Sequence, residues 1–313
     1  MKLGFIGLGR MGFNIVLNLV DKGINVVAYN RSPEPLRKLE KYIGGMRTSL
    51  RGSHTSIETS FSIEELINKL PKQKIIWLMV TAGKPVDAVI KELLPYLNKE
   101  DIIIDGGNSF YKDSIRRYKF LKNKKIHFID IGTSGGLKGA RYGACLTIGG
   151  DKKIFKKVEP ICRDVSAKNG YSYVGDAGAG HFVKMIHNGI EYAMLQAYGD
   201  GFELLFKGHY KNLDLRKIAE TWQNGSVIRS WLIELAIEAF RKDPKLSKIE
   251  GVIGGGETGQ WAVNTAEEYG VPFESIRLAL KLRKSSKIHP TFAGKVIAAL
   301  RNEFGGHEIV KKK

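Results

Sequence analysis

KLGFIGLGRMG, residues 2–12, is the segment that decides the predicted fold. Lys2–Ile6 has the composition of a short buried strand, and an apolar-periodic run that continues to Val20 predicts a helix directly after it. The turn between them carries glycines in the spacing G-x-G-x-x-G, which is typical of dinucleotide binding when it joins a strand to a helix. The predicted cofactor contacts at this turn are Gly7, Leu8, Gly9, Arg10, Met11 and Gly12.

A second predicted strand, Asn25–Tyr29, ends where a dinucleotide-binding domain contacts the adenosine ribose. NAD enzymes usually carry an acidic residue there, but this sequence has Asn30, Arg31 and Ser32. A guanidinium offers a bidentate fork to a 2′-phosphate, and no carboxylate repels the added charge. We therefore predict that these three residues bind NADP, with NAD as the alternative. The alternative interpretation is that Arg31 is a solvated cation in a loop, without a role in cofactor binding.

Further apolar runs alternate with helical patterns, as in a doubly wound α/β sheet. The predicted strands are 75–80, 101–105 and 126–131, and the predicted helices are 62–69, 86–97 and 112–123. Two later strands, 145–148 and 172–174, are predicted to complete this domain.

The predicted strands end in loops of small residues, and ligands of such sheets bind outside the carboxyl ends of the strands. We expect these loops to line one crevice, with Asn108 and Ser134 able to hold a sugar hydroxyl or the nicotinamide amide; either could also be a simple turn residue. The loops are Thr81-Ala82-Gly83, Gly106-Gly107-Asn108-Ser109 and Gly132-Thr133-Ser134-Gly135-Gly136. Cofactor contacts are predicted at Val80, Thr81, Ala82 and Asn108.

From Gly178 onward only helical patterns follow. They span 181–206, 215–222, 228–240, 262–269, 273–284 and 293–304. The predicted architecture is an α/β Rossmann-type N-terminal domain, residues 1–177, with an all-α C-terminal domain, residues 178–313, for substrate binding and oligomerisation.

The first helix of the second domain carries a polar stripe. Lys184, His187, Asn188 and Glu191 stand at i, i+3, i+4 and i+7, and Tyr192 lies at the edge of the stripe. The rest of the helix is apolar nearly all round, so we expect the helix to be buried. Its polar side chains should then have either hydrogen-bond partners or a functional role. The spacing alone does not decide whether these residues are structural groups with satisfied hydrogen bonds or functional groups.

The segment Gly251–Trp261 is rich in glycine. As a loop it would bring backbone N–H groups and Thr258 close to a phosphate, or it would be no more than a flexible linker.

Composition limits the class of partner. The formal net charge is +18, but the lysines are scattered, which favours attraction of a small anionic substrate over a nucleic-acid surface. Cys145 and Cys162 have no metal-ligand or disulfide framework spacing, so we expect reduced core thiols and no metal site. With no leader and no run of membrane-spanning length, we expect a cytoplasmic protein that does not bind a membrane.

Several longer motifs resemble the decarboxylating 6-phosphogluconate dehydrogenases, in their short single-repeat form, over essentially the whole chain. The motifs are IGLGRMG, IIIDGGNS, GTSGG followed by GARYG, GHFVKMIHNGIEY, TGQW and RNEFGGH. GHFVKMIHNGIEY is highly specific to that family, whereas the wider β-hydroxyacid dehydrogenases share only the glycine-rich opening and an essential lysine.

The resemblance implies roles for individual residues. Lys184 matches the family's general base and Glu191 its general acid. The matched substrate contacts are Asn108, Ser134, Gly135, Gly136, His187, Asn188, Tyr192, Thr258, Arg283, Arg301 and His307. Arg301 and His307 match tail residues that the family inserts into a neighbouring subunit's site, which implies a homo-oligomer, dimer or tetramer.

One departure affects the predicted substrate. Gly256-Glu257 stands where the family motif has a phosphate-binding lysine, so phosphate binding should weaken unless Lys281, Arg283 or Lys284 compensates. The resemblance implies oxidative decarboxylation of 6-phosphogluconate to ribulose 5-phosphate and carbon dioxide with reduction of NADP. The alternatives are a β-hydroxyacid dehydrogenase for another sugar acid or a short hydroxy acid, smaller or unphosphorylated, and a non-catalytic, nucleotide-dependent nucleic-acid-binding protein.

Overall fold

The computed structural model describes residues 1–46 and 56–312. They form two compact units, a first unit of Met1–Lys184 and a second unit of Met185–Lys313. The division falls inside one long helix, later along the chain than the boundary predicted between residues 177 and 178, and that boundary stays a prediction.

The strands named below all belong to the first unit. They are β1 (Lys2–Ile6), β2 (Asn25–Tyr29), β3 (Ile57–Ser60), β4 (Ile75–Leu78), β5 (Ile102–Asp105), β6 (His127–Ser134), β7 (Ala144–Gly150) and β8 (Ser166–Gly175). The helices of this unit are α1 (Arg10–Asp21), α2 (Glu34–Met46), α3 (Ile63–Asn68), α4 (Lys84–Leu93), α5 (Tyr111–Lys122), α6 (Gly136–Tyr142) and α7 (Lys152–Val165), and a short 3₁₀ helix spans Leu94–Tyr96.

The strands form one sheet in the order β3-β2-β1-β4-β5-β6-β7-β8. The pairs from β3 to β6 are parallel, β7 runs antiparallel to β6, and β8 is parallel to β7. The order 3-2-1-4-5-6 is that of a dinucleotide-binding fold, with the ligand expected at the carboxyl ends of the strands. The predicted α/β Rossmann-type fold is confirmed.

Apolar side chains cover both faces of the sheet, which is why its central strands read as continuous apolar runs. Leu3 and Phe5 of β1 belong to the core on one face, and Ile6 belongs to the core on the other. Trp77 of β4 is fully buried and stacks on Phe5, with ring centroids 6.2 Å apart. The central strands are therefore buried on both faces of the sheet.

The second unit is helical. Its helices are α8 (Ala179–Lys207), which begins in the first unit, α9 (Leu215–Gln223), α10 (Trp231–Lys242), α11 (Glu257–Glu268), α12 (Glu274–Ser285) and α13 (Phe292–Gly305). A main core includes Phe202, Phe240 and Ile297, and a smaller core gathers Tyr192, Val263 and Leu280.

The expectation that α8 is buried nearly all round is wrong. Ile190 is 50% exposed, Met194 39% and Leu204 72%, and Ala197 and Gly201 between them are exposed too. Their spacing alternates between four and three residues, so they form one apolar stripe. The opposite face, with Met185, Leu195 and Phe202, is buried. The sequence looked uniformly apolar because the exposed stripe is as apolar as the buried face.

Other predictions also need correction. The segment 251–261 is a loop only as far as Gly256, because α11 begins at Glu257. The helix predicted from residue 228 begins at Trp231, where the Ser230 hydroxyl caps it by accepting the N–H of Ile233. The loop predicted at 132–136 is strand β6 as far as Ser134 and helix α6 from Gly136. Elements β3, α2, α6 and α7 were not anticipated.

The cysteines differ from each other. Cys162 is buried, and burial raises the pKa of its thiol to about 12, whereas Cys145 is exposed rather than a core residue. Both are free thiols. No helix in the described parts of the chain is long and apolar enough to cross a membrane. The cytoplasmic location stays a prediction.

Candidate active site

The glycine-rich turn has the geometry that a pyrophosphate group needs. Gly7 has φ +105°, and a Cβ there would lie 2.4 Å from the carbonyl oxygen of Met79, while one at Gly12 would lie 2.0 Å from the carbonyl oxygen of Gly7. At Gly9 a Cβ would meet nothing within 4 Å. Gly9 precedes α1 without a side-chain cap, so open space lies in front of a helix N-terminus that favours anions. These residues fit a dinucleotide.

A groove of about 360 Å³ lies beside this turn. That volume is within the range of small-molecule sites. Its lining residues are Leu8, Gly9, Arg10, Phe13, Asn14, Glu34, Pro35, Lys38 and Leu137. Sequence reasoning missed Glu34 and Lys38, because helix α2 that carries them was not recognised.

The predicted ribose contacts are held together by one side chain. The Asn30 Oδ1 atom accepts the N–H of Leu8 at 2.8 Å, and its Nδ2 atom donates to the carbonyl and hydroxyl oxygens of Ser32 at 2.9 and 3.0 Å. Asn30 therefore ties the end of β2 to the glycine-rich turn. Arg31 is exposed, with its side chain available at the surface.

The loops after β4 and β5 lie at the carboxyl edge of the sheet. Thr81 is exposed, and Val80 and Ala82 are half-buried. Asn108 is exposed between two buried neighbours, Gly107 and Ser109. The predicted cofactor contacts therefore lie where a parallel sheet binds ligands.

Lys184 and Ser134 are brought together. Ser134 ends β6, is 7% exposed, and its Oγ atom accepts a hydrogen bond from the Lys184 Nζ atom at 2.7 Å. A Cβ at Gly132 would lie 2.4 Å from the Cβ of Lys184, so α8 can approach β6 only because residue 132 is glycine. Gly135 and Gly136 follow with φ +109° and +60° and turn the chain into α6.

A second cluster of predicted residues lies within the second unit. Tyr192, Arg283 and Arg301 are 9%, 3% and 9% exposed, and the Arg283 guanidinium carbon lies 3.5 Å from the centre of the Tyr192 ring. Such a stacked arrangement is a cation–π contact. Glu191 and Tyr192 interact electrostatically with both arginines. The structure therefore gathers one predicted catalytic residue and three predicted substrate contacts.

The two arginines are costly to bury side by side. Desolvation lowers the pKa of Arg283, and desolvation together with the Arg283 charge lowers the pKa of Arg301 to about 10. A shift of this size means that folding disfavours the charged form by on the order of 3 kcal/mol. The full cost applies below about pH 10 and is relieved as the pH rises above that value. A bound anion would offset it.

The glycine-rich segment lies next to this pair. A Cβ at Gly255 would lie 3.4 Å from the Arg301 Nη2 atom, and one at Gly259 would lie 2.4 Å from the Tyr192 Cε2 atom. Thr258 is 8% exposed in the first turn of α11, whereas Glu257 is exposed. Gly259 thus makes room for the Tyr192 ring, and Gly255 lies at ordinary contact distance from Arg301.

The remaining predicted contacts have different settings. The His187 Nδ1 atom lies 3.1 Å from the Asn188 Oδ1 atom, with His187 exposed and Asn188 half-buried. His307 is half-buried, its carbonyl accepts from the Asn302 amide at 2.8 Å, and its ring lies edge-on to Phe304. Lys281 and Lys284 are exposed, and Lys284 donates to the Gln260 side chain at 2.6 Å. The predicted insertion of Arg301 and His307 into a neighbour stays a prediction.

The fold and the two clusters define a dinucleotide-binding oxidoreductase with a second, helical unit. Residues 2–175 match the NAD binding domain of 6-phosphogluconate dehydrogenase, and residues 180–310 match that enzyme's C-terminal domain. The chain belongs to the 6-phosphogluconate dehydrogenase family.

Individual relatives agree with this assignment. The chain is 41% identical over 314 residues to the NAD⁺-dependent decarboxylating 6-phosphogluconate dehydrogenase of Haloferax volcanii, covering 100% of this chain and 99% of that protein. It is 39% identical over 298 residues to the NAD⁺-dependent Bacillus subtilis enzyme, covering 92% of this chain but only 62% of that enzyme.

Two solved structures match this chain, one in family and one in fold. The Plasmodium falciparum 6-phosphogluconate dehydrogenase, whose cofactor is NADP⁺ and whose substrate is 6-phosphogluconate, matches with TM-score 0.82 at 33% identity, over 92% of this chain and 62% of that one. A Salmonella typhimurium 3-hydroxyisobutyrate dehydrogenase matches with TM-score 0.74 at 16% identity, over 95% of this chain and 99% of that one, and shares the fold.

Arg301→Met should stabilise the chain when no anion is present. The substitution removes one of two adjacent buried cations while keeping an apolar stem, so we expect the free energy of unfolding at pH 7 to rise by about 1–3 kcal/mol. Urea unfolding measures it. The control is Arg241→Met, since Arg241 is an exposed partner of Glu238 and its loss should change little. A loss of stability in Arg301→Met would contradict the repulsion inferred for the pair.

Proposed function

We propose that the chain oxidises and decarboxylates 6-phosphogluconate to ribulose 5-phosphate and carbon dioxide, with reduction of NADP. The observation that carries the substrate assignment is the buried pair Arg283 and Arg301 beside Glu191. Two guanidiniums in a desolvated setting match a phosphate dianion, because each offers a fork of donors to its oxygens.

The first step requires a base for the hydroxyl proton. The nicotinamide of the bound dinucleotide would accept the hydride. Lys184, in its neutral form, takes the proton of the substrate hydroxyl, and its bond to Ser134 fixes the position of the amine. The product of oxidation is a β-keto acid. Lys184 then returns its proton to the ketone oxygen as the carbon–carbon bond to the carboxylate breaks, which leaves an enediol and releases carbon dioxide.

The second step requires an acid. The ketose forms when the enediol gains a proton at the carbon that carried the carboxylate and returns its hydroxyl proton to Lys184. We assign the carbon-bound proton to Glu191. Glu191 lies on α8, as does Lys184, so one helix carries both groups. We assign orientation of the substrate to the contacts named above, namely Asn108, Ser134, Gly135, Gly136, His187, Asn188, Tyr192 and Thr258.

Phosphate binding has to overcome the departure at Gly256-Glu257. The cluster supports Arg301 as a replacement for the missing lysine. An ideal Cβ at Gly254 would lie 3.9 Å from the Arg301 guanidinium, and one at Gly255 would lie 3.4 Å from it. Glu257 is exposed and belongs to the first turn of α11. The same carboxylate is the observation that favours the second candidate, a dehydrogenase for an unphosphorylated hydroxy acid.

The cofactor proposal is NADP rather than NAD. Arg31 follows β2 without an acidic residue at position 30, and Arg10 and Lys38 line the adjoining groove. Three cations near one groove favour the 2′-phosphate, whereas Glu34 in the same groove opposes it. The NAD⁺ dependence of the Haloferax volcanii relative makes a direct test necessary.

Lys184→Ala should abolish both products. Without the base, formation of NADPH and release of carbon dioxide should each fall at least about 1000-fold, whereas Glu191→Gln should slow turnover about 10- to 100-fold through enediol protonation. Absorbance at 340 nm and carbon dioxide release measure the two steps. Lys207→Ala, at the far end of α8, is the control. Activity above a few per cent in Lys184→Ala would remove Lys184 from the role of base.

Arg31→Ala should change the cofactor preference. We expect the KM for NADP to rise about 10- to 100-fold and the KM for NAD to stay within about threefold, because a charged hydrogen bond to phosphate contributes about 1.5–3 kcal/mol. Initial rates with both cofactors measure the change. Arg37→Ala is the matched control, because Arg37 is also exposed but lies further along the chain, in α2. Equal effects on NADP and NAD would refute the assignment.

We also propose a homo-oligomer. The exposed stripe of Ile190, Met194, Ala197, Gly201 and Leu204 alternates in steps of four and three, the pattern of a helix that packs along another helix. The family resemblance favours a second copy of this chain as the partner. The electrostatic interaction of Arg301 with Arg283 of the same chain supports its assignment to its own chain's cluster rather than to the neighbour's.

Met194→Glu should dissociate the oligomer. A buried carboxylate in an apolar seam is strongly unfavourable, so the mass measured by light scattering should fall to that of one chain. Exposed Lys211→Glu is the control. An unchanged mass in Met194→Glu would refute the seam.

Mixing Lys184→Ala with Arg301→Met subunits tests whether Arg301 acts within its own chain. If it does, every site still lacks either Lys184 or Arg301, so we expect no activity. Recovery of activity on mixing would establish that Arg301 acts across the interface.

A further inference from the structure

Four ionisable side chains of the first unit are buried next to the segments that carry Lys184 and Asn108. Asp105 and Asp130 are 0% exposed, and Arg117 and His181 are 1% exposed. Burial of such groups is unfavourable unless every charge and hydrogen-bonding atom is matched. The contacts of these residues therefore show what the first unit gains by burying them.

His181 joins two parts of the chain through its ring. The Nε2 atom lies 3.1 Å from the carbonyl oxygen of Gly107, and because a carbonyl only accepts, Nε2 carries the proton and donates. The Nδ1 atom lies 2.7 Å from the hydroxyl of Ser114 in α5. The ring thus connects the first turn of α8 to the loop after β5.

Asp105 holds the same loop from the other side. Its Oδ1 atom accepts the N–H of Gly107 at 3.2 Å, and its Oδ2 atom accepts from the Ser109 hydroxyl at 2.8 Å and from Arg117 at 3.3 Å. Both polar groups of residue 107 are therefore occupied. We call the hydrogen bonds of Asp105 and His181 to Gly107 the clamp. The clamp orients Asn108, the exposed residue between Gly107 and Ser109.

Asp130 fixes the other end of the connection. Its carboxylate accepts the N–H groups of Gly178 and His181 at 2.7 and 2.9 Å, so a carboxylate of β6 caps the start of α8. Ser134 lies four residues further along β6, on the same face, and accepts from Lys184. One strand therefore sets both the origin of α8 and the position of the Lys184 amine.

We propose that His181 is a positioning residue for the reaction. It fixes the loop that carries Asn108 relative to the turn of α8 that carries Lys184, so that the substrate hydroxyl meets the base in a reactive geometry. The inference rests on the proposed function. A displacement of about 1 Å at such a site costs about 100-fold in rate, which sets the size of the expected effect.

His181→Asn and His181→Gln separate positioning from packing. The Gln amide places a donor where Nε2 stands and keeps the bond to Gly107, whereas Asn is too short to reach it. We expect kcat with 6-phosphogluconate to fall about 100-fold in His181→Asn and to stay within about tenfold of wild type in His181→Gln. The KM for NADP should stay within about twofold in both. His127→Asn, a half-buried histidine paired with Glu100, is the control.

Amide hydrogen exchange of residues 106–110 gives a readout that needs no turnover. Exchange should accelerate at least about tenfold in His181→Asn and stay slow in His181→Gln. If His181→Asn does not fold, Ser114→Ala, which removes the Nδ1 partner, should lower kcat about tenfold and accelerate the same amides.

Unchanged kcat together with unchanged exchange in the folded variants would overturn the proposal. Equal kcat losses in His181→Asn and His181→Gln would do so as well, since they would indicate packing alone. A wild-type chain that does not turn over 6-phosphogluconate would refute the proposed function, and the exchange data would then decide on the clamp by themselves.

Discussion

The buried carboxylate of Asp130 is the interaction on which the site depends. It lies in β6 and accepts two backbone N–H groups at the beginning of α8, where the helix dipole favours a negative charge. Burial raises the pKa of Asp130, and the two N–H donors and the neighbouring His181 act in the opposite direction. The close approach of Gly132 to Lys184 and the bond from Lys184 to Ser134 follow from this anchor. The proposed base, Lys184, is therefore positioned by strand β6.

Buried charges have different surroundings in the two units. In the first unit Arg117 is matched by Asp87, Asp105 and the carbonyl of Gly83. In the second unit Arg283 and Arg301 lie close to each other, and the pKa of Arg301 falls to about 10. Matched charges maintain geometry, whereas like charges held together in a desolvated cluster favour an anionic ligand.

Sequence patterns predicted the glycine-rich turn, the doubly wound sheet and the helix that carries Lys184, because these depend on local spacing and on long motifs. They could not predict Asp105, Arg117, Asp130 and His181 as a network. A buried charge and a solvated one look alike in sequence, and these residues meet only once the order of β5, β6 and α5 is known. The stripe of α8 was misjudged for a similar reason, since apolar residues that face outward carry no local mark. The start of α11 was missed because Gly254, Gly255 and Gly256 precede it.

The most direct test of the proposed reaction compares 6-phosphogluconate with gluconate as substrates, with NADPH followed at 340 nm and carbon dioxide measured in the same reaction. We expect equal amounts of NADPH and carbon dioxide from 6-phosphogluconate, and a kcat/KM at least about 100-fold lower for gluconate, because two buried guanidiniums are left without their anion. Equal turnover of both acids, or NADPH formed without carbon dioxide, would contradict it.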